Sequence, residues 1–183
     1  MLWEHAFDRL SLFDIDGLVD EEGGIVTGED SPGEIKIQSP TVFLEYWGNA
    51  EATETSFFDE WFCPGDIAVI ENGYYRIMGR SSVDIIKSGG YKLSALEIEN
   101  TLLAHPQIGE VAVVGIADRT WGEVVAAVVA LKGDDDMTLE NLKGWCDGKL
   151  SSYKVPKQVR VVDALPRNAM GKVVKPSLKP LFE

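Results

Sequence analysis

Residues 124–131 read VVAAVVAL, eight apolar residues with no polar interruption. A run of that length fits a strand and not a membrane-spanning helix, which needs about 20 residues. Having no polar face, it must be covered on both sides, as the central strand of a sheet is. The flanking sequence supplies the cover. Glu110–Ile116 reads as a second apolar strand and Gln158–Val162 as a third. Helix signals lie around them. Ser94 with Glu97 three residues on makes a capping box, apolar Leu96, Leu102 and Leu103 follow, and Pro106 stops the helix just past His105. Thr138 caps a second helix predicted to run to about Leu150, with Leu139, Leu142, Trp145 and Cys146 at helical spacing. A short helix is expected from about Pro176. Helix, strand, strand, helix, strand predicts a small α+β domain on a three-stranded sheet.

The first third of the chain has a different character. Residues 1–60 hold 15 acids against 2 bases, whereas 61–183 hold 15 of each, so the net charge of −13 is confined to the opening segment. Leu2 to Gly33 is acidic, carries the turn signals DIDG and DEEGG, and is expected to form loops and short strands. GEIKIQ at 33–38 alternates as a strand, and Phe43–Trp47 supplies aromatics before the Gly48-Asn49 turn. Ala68–Ile70 and Tyr74–Met78 flank Glu71, Asn72 and Gly73, which predicts a tight hairpin. An incomplete β subdomain is therefore expected ahead of the α+β domain. From Lys149 to Glu183 the sign reverses, 8 bases against 2 acids, which suits the phosphates of a nucleotide or coenzyme. No apolar run reaches about 18 residues, so no membrane span is indicated, and MLWEHAFDRL has neither a basic leader nor an apolar signal core. Cys63 and Cys146 are too far apart to form a metal motif and give no disulfide framework, which favours the cytosol or mitochondrial matrix.

Two strings carry the chemistry: GRSSVDIIKSGGYKLSALEIE from Gly79 to Glu99, and LPRNAMGK from Leu165 to Lys172. In this order and spacing they resemble the closing motifs of the adenylate-forming superfamily, which includes acyl-CoA synthetases, luciferases and the adenylation domains of peptide synthetases. SVDIIKSGGYKLSALEIE together with DRTWGE looks most like the malonyl- and methylmalonyl-CoA synthetase branch. Such enzymes also need a Ser/Thr/Gly-rich phosphate loop and an adenine-binding aromatic segment, and nothing before Gly79 resembles either. The resemblance thus implies the C-terminal portion of an acyl-CoA synthetase. Residues 1–80 would be a remnant of the large AMP-binding domain, 81–84 a hinge, and 85–183 the C-terminal domain.

The implied reaction joins a carboxylate to CoA through an acyl-adenylate, consuming ATP with Mg²⁺ and releasing AMP and pyrophosphate. The chain is expected to be inactive alone, because positioning supplies much of such a rate. The resemblance assigns Lys172 to adenylation, bridging the acyl carboxylate and the phosphate, and Gly171 lets backbone approach closely. Asp66, in WFCPGD, stands where the family accepts both ribose hydroxyls, although Pro64 replaces the usual threonine before Gly65. Arg80 matches the arginine that touches the ribose and phosphate region. The hinge pivot is Ser82 or Asp84. Gly90, with Gly89 next, would line the pantetheine tunnel, and Lys87 lies near a lysine used in thioester formation. Trp121 in DRTWGE can flank the coenzyme; Tyr153 and Pro156 are expected to pack, and His5 and His105 are given no catalysis. The partners implied are a small carboxylate, ATP, CoA and a complementing large domain or chain, with no nucleic acid. Half of a split enzyme or a noncatalytic binding module is the alternative.

Overall fold

The computed structural model describes residues 17–133 and 136–183. His5 and the opening acidic stretch before Gly17 lie outside the described residues. The chain divides into two compact units, Met1–Ser81 and Ser82–Glu183.

In the first unit β1 (Leu18–Val19), β2 (Ile25–Val26), β3 (Gly33–Ile35), β6 (Asp66–Glu71) and β7 (Tyr74–Arg80) form a five-stranded sheet in the order β2-β1-β3-β6-β7, with every pairing antiparallel. The β6–β7 hairpin turns on Asn72 (φ 52°) and Gly73 (φ 79°), the pair of positive φ values that matches the twist of the flanking strands. Helix α1 (Ala50–Ser56) starts at Asn49, whose side chain accepts the Ala52 N–H, and leads into the small hairpin β4 (Phe57–Phe58) and β5 (Trp61–Phe62). Phe43 lies 4.7 Å from Tyr46, 5.8 Å from Phe57 and 5.0 Å from Phe62. Leu44, Trp47 and Phe58 stay exposed beside this cluster.

The second unit is an α+β domain. β11 (Gly122–Leu131) is its centre, paired antiparallel with β10 (Ile108–Asp118) over nearly its whole length, parallel with β12 (Gln158–Val161), and at Gly122 with Ser88. Val124 to Ala130 are all buried, as the unbroken apolar run requires. The sheet has five strands instead of the three expected, because β8 (Ile85–Ser88) and β9 (Tyr91–Ser94) form a hairpin that continues it. Each of those strands has only four residues and a lysine in it, too little alternation to register as a strand.

Helix α2 (Ala95–Leu103) begins at Ser94, whose hydroxyl accepts the Glu97 N–H at 3.2 Å. It buries Ala95, Ile98 and Leu102, whereas Leu96 and Leu103 face solvent. Helix α3 (Leu139–Cys146) has a complete capping box between Thr138 and Asn141 and buries Leu142 and Cys146. It stops four residues short of the expected end, since Asp147 leaves helical geometry and Gly148 takes φ 69°. Both helices share one core with Ile86, Leu93, Val113 and Val125. A second cluster on Ala112, Val114, Ala126 and Val128 is closed by Leu165 and Leu178, the latter from a 3₁₀ helix over Lys175–Phe182. No helix among the described residues is long and apolar enough to cross a membrane.

Candidate functional site

The first unit brings Asp66 and Arg80 together. They face each other across β6 and β7, with Arg80 Nε 3.0 Å from Asp66 Oδ1. Arg80 Nη1 also donates to the Pro64 carbonyl at 2.6 Å, and the Ser81 N–H to the Gly65 carbonyl at 2.9 Å. Proline at 64 lacks an N–H but keeps its C=O, and the C=O is the group this corner uses. The Asp66 side chain remains 26% exposed, enough to accept from a ligand.

In the second unit Lys172 is the exposed end of a self-bonded loop. The Asn168 carboxamide accepts from the Met170 and Lys172 N–H groups, both at 3.0 Å, while the Asn168 N–H donates to the Lys172 carbonyl at 2.9 Å. Gly171 takes φ 78°, the left-handed geometry that the turn requires. Arg167 fastens one side, donating to the Gly171 carbonyl and to Glu110, both at 2.7 Å. The backbone is thus fixed while the lysine side chain reaches outward.

Ser82 is exposed in the turn after Ser81, but Asp84 is buried and bonded to Lys175 Nζ at 2.5 Å. Lys175 also meets Glu99 at 2.8 Å. Burial pushes the Glu99 carboxyl above the usual range, opposed by the Lys175 charge and by the N–H of Val113, 2.7 Å away.

Gly89 (φ 59°) and Gly90 (φ 84°) turn the β8–β9 hairpin. The Gly89 N–H donates to the Trp121 carbonyl at 2.9 Å, and a Cβ at 89 would lie 2.9 Å from Trp121 Cε3. A Cβ at Gly90 would meet nothing within 4 Å. Asp118 holds the Trp121 turn by accepting its N–H at 2.9 Å. Lys87 is exposed, and its N–H donates to Glu123 at 2.8 Å.

A cleft of about 210 Å³ opens beside this hairpin, lined by Ser88, Trp121, Val124, Ser152, Tyr153 and Lys157 among others. The Tyr153 ring is not packed in the core: it is 43% exposed and stacks on Tyr91 with centroids 5.1 Å apart. Sequence reasoning gave no role to Tyr91, although it stands in the Gly79–Glu99 string, nor to Lys157, whose only signal was the basic stretch after Lys149. That stretch is mostly occupied internally: Lys154 with Glu97, Arg167 with Glu110, Lys175 with Asp84 and Glu99, Lys179 with Glu123, and Lys149 and Arg160 on backbone carbonyls. It is not a continuous phosphate-binding surface.

Burial raises the thiols of Cys63 and Cys146, so neither sits in a site that favours a thiolate. Among the described residues no group of three or more His, Cys, Asp or Glu could hold a metal ion. These residues do not fit a protein-held magnesium site.

Residues 97–172 match the model of the AMP-binding enzyme C-terminal domain. The chain is 51% identical to the mitochondrial malonate–CoA ligase of Mus musculus over 151 residues, which are 82% of this chain and 26% of that protein. It is 48% identical to the malonate–CoA ligase of Arabidopsis thaliana, covering 82% of this chain and 27% of the relative. Among solved structures, ATP-bound MatB from Rhodopseudomonas palustris superposes with a TM-score of 0.76 at 35% identity, over 91% of this chain and 33% of that one. The o-succinylbenzoate CoA synthetase of Bacillus subtilis, in complex with its acyl-adenylate intermediate, gives 0.79 at 33% identity, over 92% and 34%. The chain therefore spans about a quarter of the length of the curated ligases it matches.

Proposed function

We propose that this chain, whose residues 97–172 match the AMP-binding enzyme C-terminal domain, is the lysine-bearing part of a malonate–CoA ligase. The observation that carries this reading is the Lys172 loop, whose backbone is closed on Asn168 while its ammonium faces outward. Activating a carboxylate with ATP brings two anions together, and a cation on a fixed loop neutralises the charge that develops at the α-phosphate. Asp66 and Arg80 serve the ribose and phosphate of the nucleotide. The identity to malonate–CoA ligases of animals and a plant supports malonate as the acyl substrate.

The second half-reaction falls to the β8–β9 turn. Open space at Gly90 gives pantetheine a passage that a side chain would narrow. The neighbouring cleft offers Trp121 and Tyr153 as aromatic surfaces and Lys157 as a cation for the nucleotide end of CoA. Residues 81–84 act as the hinge, and of its two candidates the exposed Ser82 is the better pivot, because Asp84 is tied to Lys175. Mg²⁺ enters with the phosphates of ATP. The exposed Leu44, Trp47 and Phe58 fit a surface covered by the larger half of the enzyme, on the same chain or another. The mitochondrial relatives favour the matrix as the location.

The test joins this chain to the preceding region of MatB and measures malonyl-adenylate formation and AMP release. Lys172→Ala should lower adenylation by roughly 10²–10³-fold, the range for removing one preorganised charge-stabilising donor. Unchanged adenylation in the variant would sink the reading.

A further inference from the structure

Lys175 holds the most enclosed ion cluster among the described residues. Its ammonium is 2.5 Å from Asp84 and 2.8 Å from Glu99, and all three side chains are only 12–15% exposed. Such a cluster is an inefficient way to stabilise a fold, since desolvating the charges cancels most of their attraction. Its distinguishing property is directional: it fixes where three chain segments meet.

Those segments are informative. Asp84 closes the 81–84 turn, and its carbonyl accepts the Ala95 N–H at 2.7 Å. Glu99 lies on α2 and also accepts the Val113 N–H of β10 at 2.7 Å. Lys175 opens the 3₁₀ helix, three residues beyond Lys172. One side of the Lys172 loop is clamped to β10 through Arg167 and Glu110, and Lys175 clamps the other. A weaker contact runs alongside, Lys179 to Glu123 at 3.8 Å, with Glu123 accepting the Lys87 N–H of β8. Loop residues 166–172 are exposed, so packing does not set their place.

We propose that Lys175 is a positioning residue for Lys172. Its bridge to Asp84 and Glu99 anchors the loop to the hinge turn and to α2, so that the outward ammonium keeps one position relative to the pivot. The proposal rests on the adenylation reading of Lys172, and its test separates the two.

Amide hydrogen exchange in the 183-residue chain reads the anchor directly. In Lys175→Met the Lys172 and Val174 amides should exchange at least tenfold faster, with β10 and β11 amides unchanged; Lys175→Arg should restore protection. Glu99→Gln, which leaves the Asp84 contact, should fall between. Equal acceleration throughout the second unit, or none in the loop, would overturn the proposal. In the fusion with the MatB region, Lys175→Met should lower kcat for adenylation at least tenfold with KM for ATP unchanged, and Lys175→Arg should recover it. Normal adenylation from a loosened loop would equally overturn it. A wild-type fusion that makes no adenylate would refute the functional reading, while the exchange result would still decide whether Lys175 anchors the loop.

Discussion

Replacing Gly89 and Gly90 one at a time with alanine separates backbone demand from contact. Both have positive φ, 59° and 84°. Alanine in the left-handed region costs roughly 1–2 kcal/mol, so each variant should lose that much. Only at 89 does the new methyl also meet a neighbour: Trp121 Cε3 at 2.9 Å and Cζ3 at 3.2 Å. Both distances are closer than carbon atoms pack at their optimum. Trp121 is 56% exposed and can swing outward, which keeps the added cost at the low end of overpacking, about 1 kcal/mol. Gly89→Ala should therefore lose about 2–3 kcal/mol and Gly90→Ala about 1–2. Urea unfolding of the 183-residue chain by circular dichroism measures both, provided the slope m stays constant. In the MatB fusion Gly89→Ala should also raise KM for CoA by displacing Trp121 at the cleft. Equal losses at the two positions would show that the indole is no constraint, and no loss at either would refute the turn geometry itself.

His105 gives an acid-sensitivity prediction. Its Nδ1 accepts the Gln107 N–H at 3.2 Å and its ring edge meets Trp145 at 4.8 Å; burial, then the Lys149 charge, lowers its pKa. The folded state prefers neutral imidazole, so this stability is present above the ordinary histidine pKa of about 6.5 and fades as pH falls below it through the lowered folded-state value. His105→Asn should flatten that part of the stability–pH curve, and an unchanged curve would remove His105 as its source. Ser94→Ala, losing the bond to the Glu97 N–H, should cost about 1 kcal/mol in urea unfolding; a loss under about 0.3 kcal/mol would contradict the cap.

What the sequence revealed was whatever is encoded locally. Ser94 and Thr138 announce their helices because a cap is a contact three residues long, and Asn72-Gly73 announces its hairpin because the turn needs φ values those residues tolerate. The central strand was legible from composition alone. The Lys172 loop was legible as a motif, but its support was not: Lys175 and Asp84 are 91 residues apart, and no spacing rule connects them. The Tyr91–Tyr153 stack was hidden for the same reason, and Tyr153 was read as packing because aromatics usually are. The basic stretch misled in the opposite direction, since charge counted along a chain does not reveal which cations already have carboxylates beneath them.

The pairing of β11 also sets the order of assembly. Its antiparallel partner β10 is joined to it by a short turn and can zip up as soon as both are made, but positions 126–129 on its other edge wait for residues 158–161. Until β12 is synthesised and threaded alongside, the most apolar segment of the molecule presents an open row of amides and carbonyls, the template on which misassembled chains grow. Chaperone dependence during translation should track the delay between β11 and β12, and lengthening the α3 crossover should lower soluble yield without changing a single contact in the finished fold.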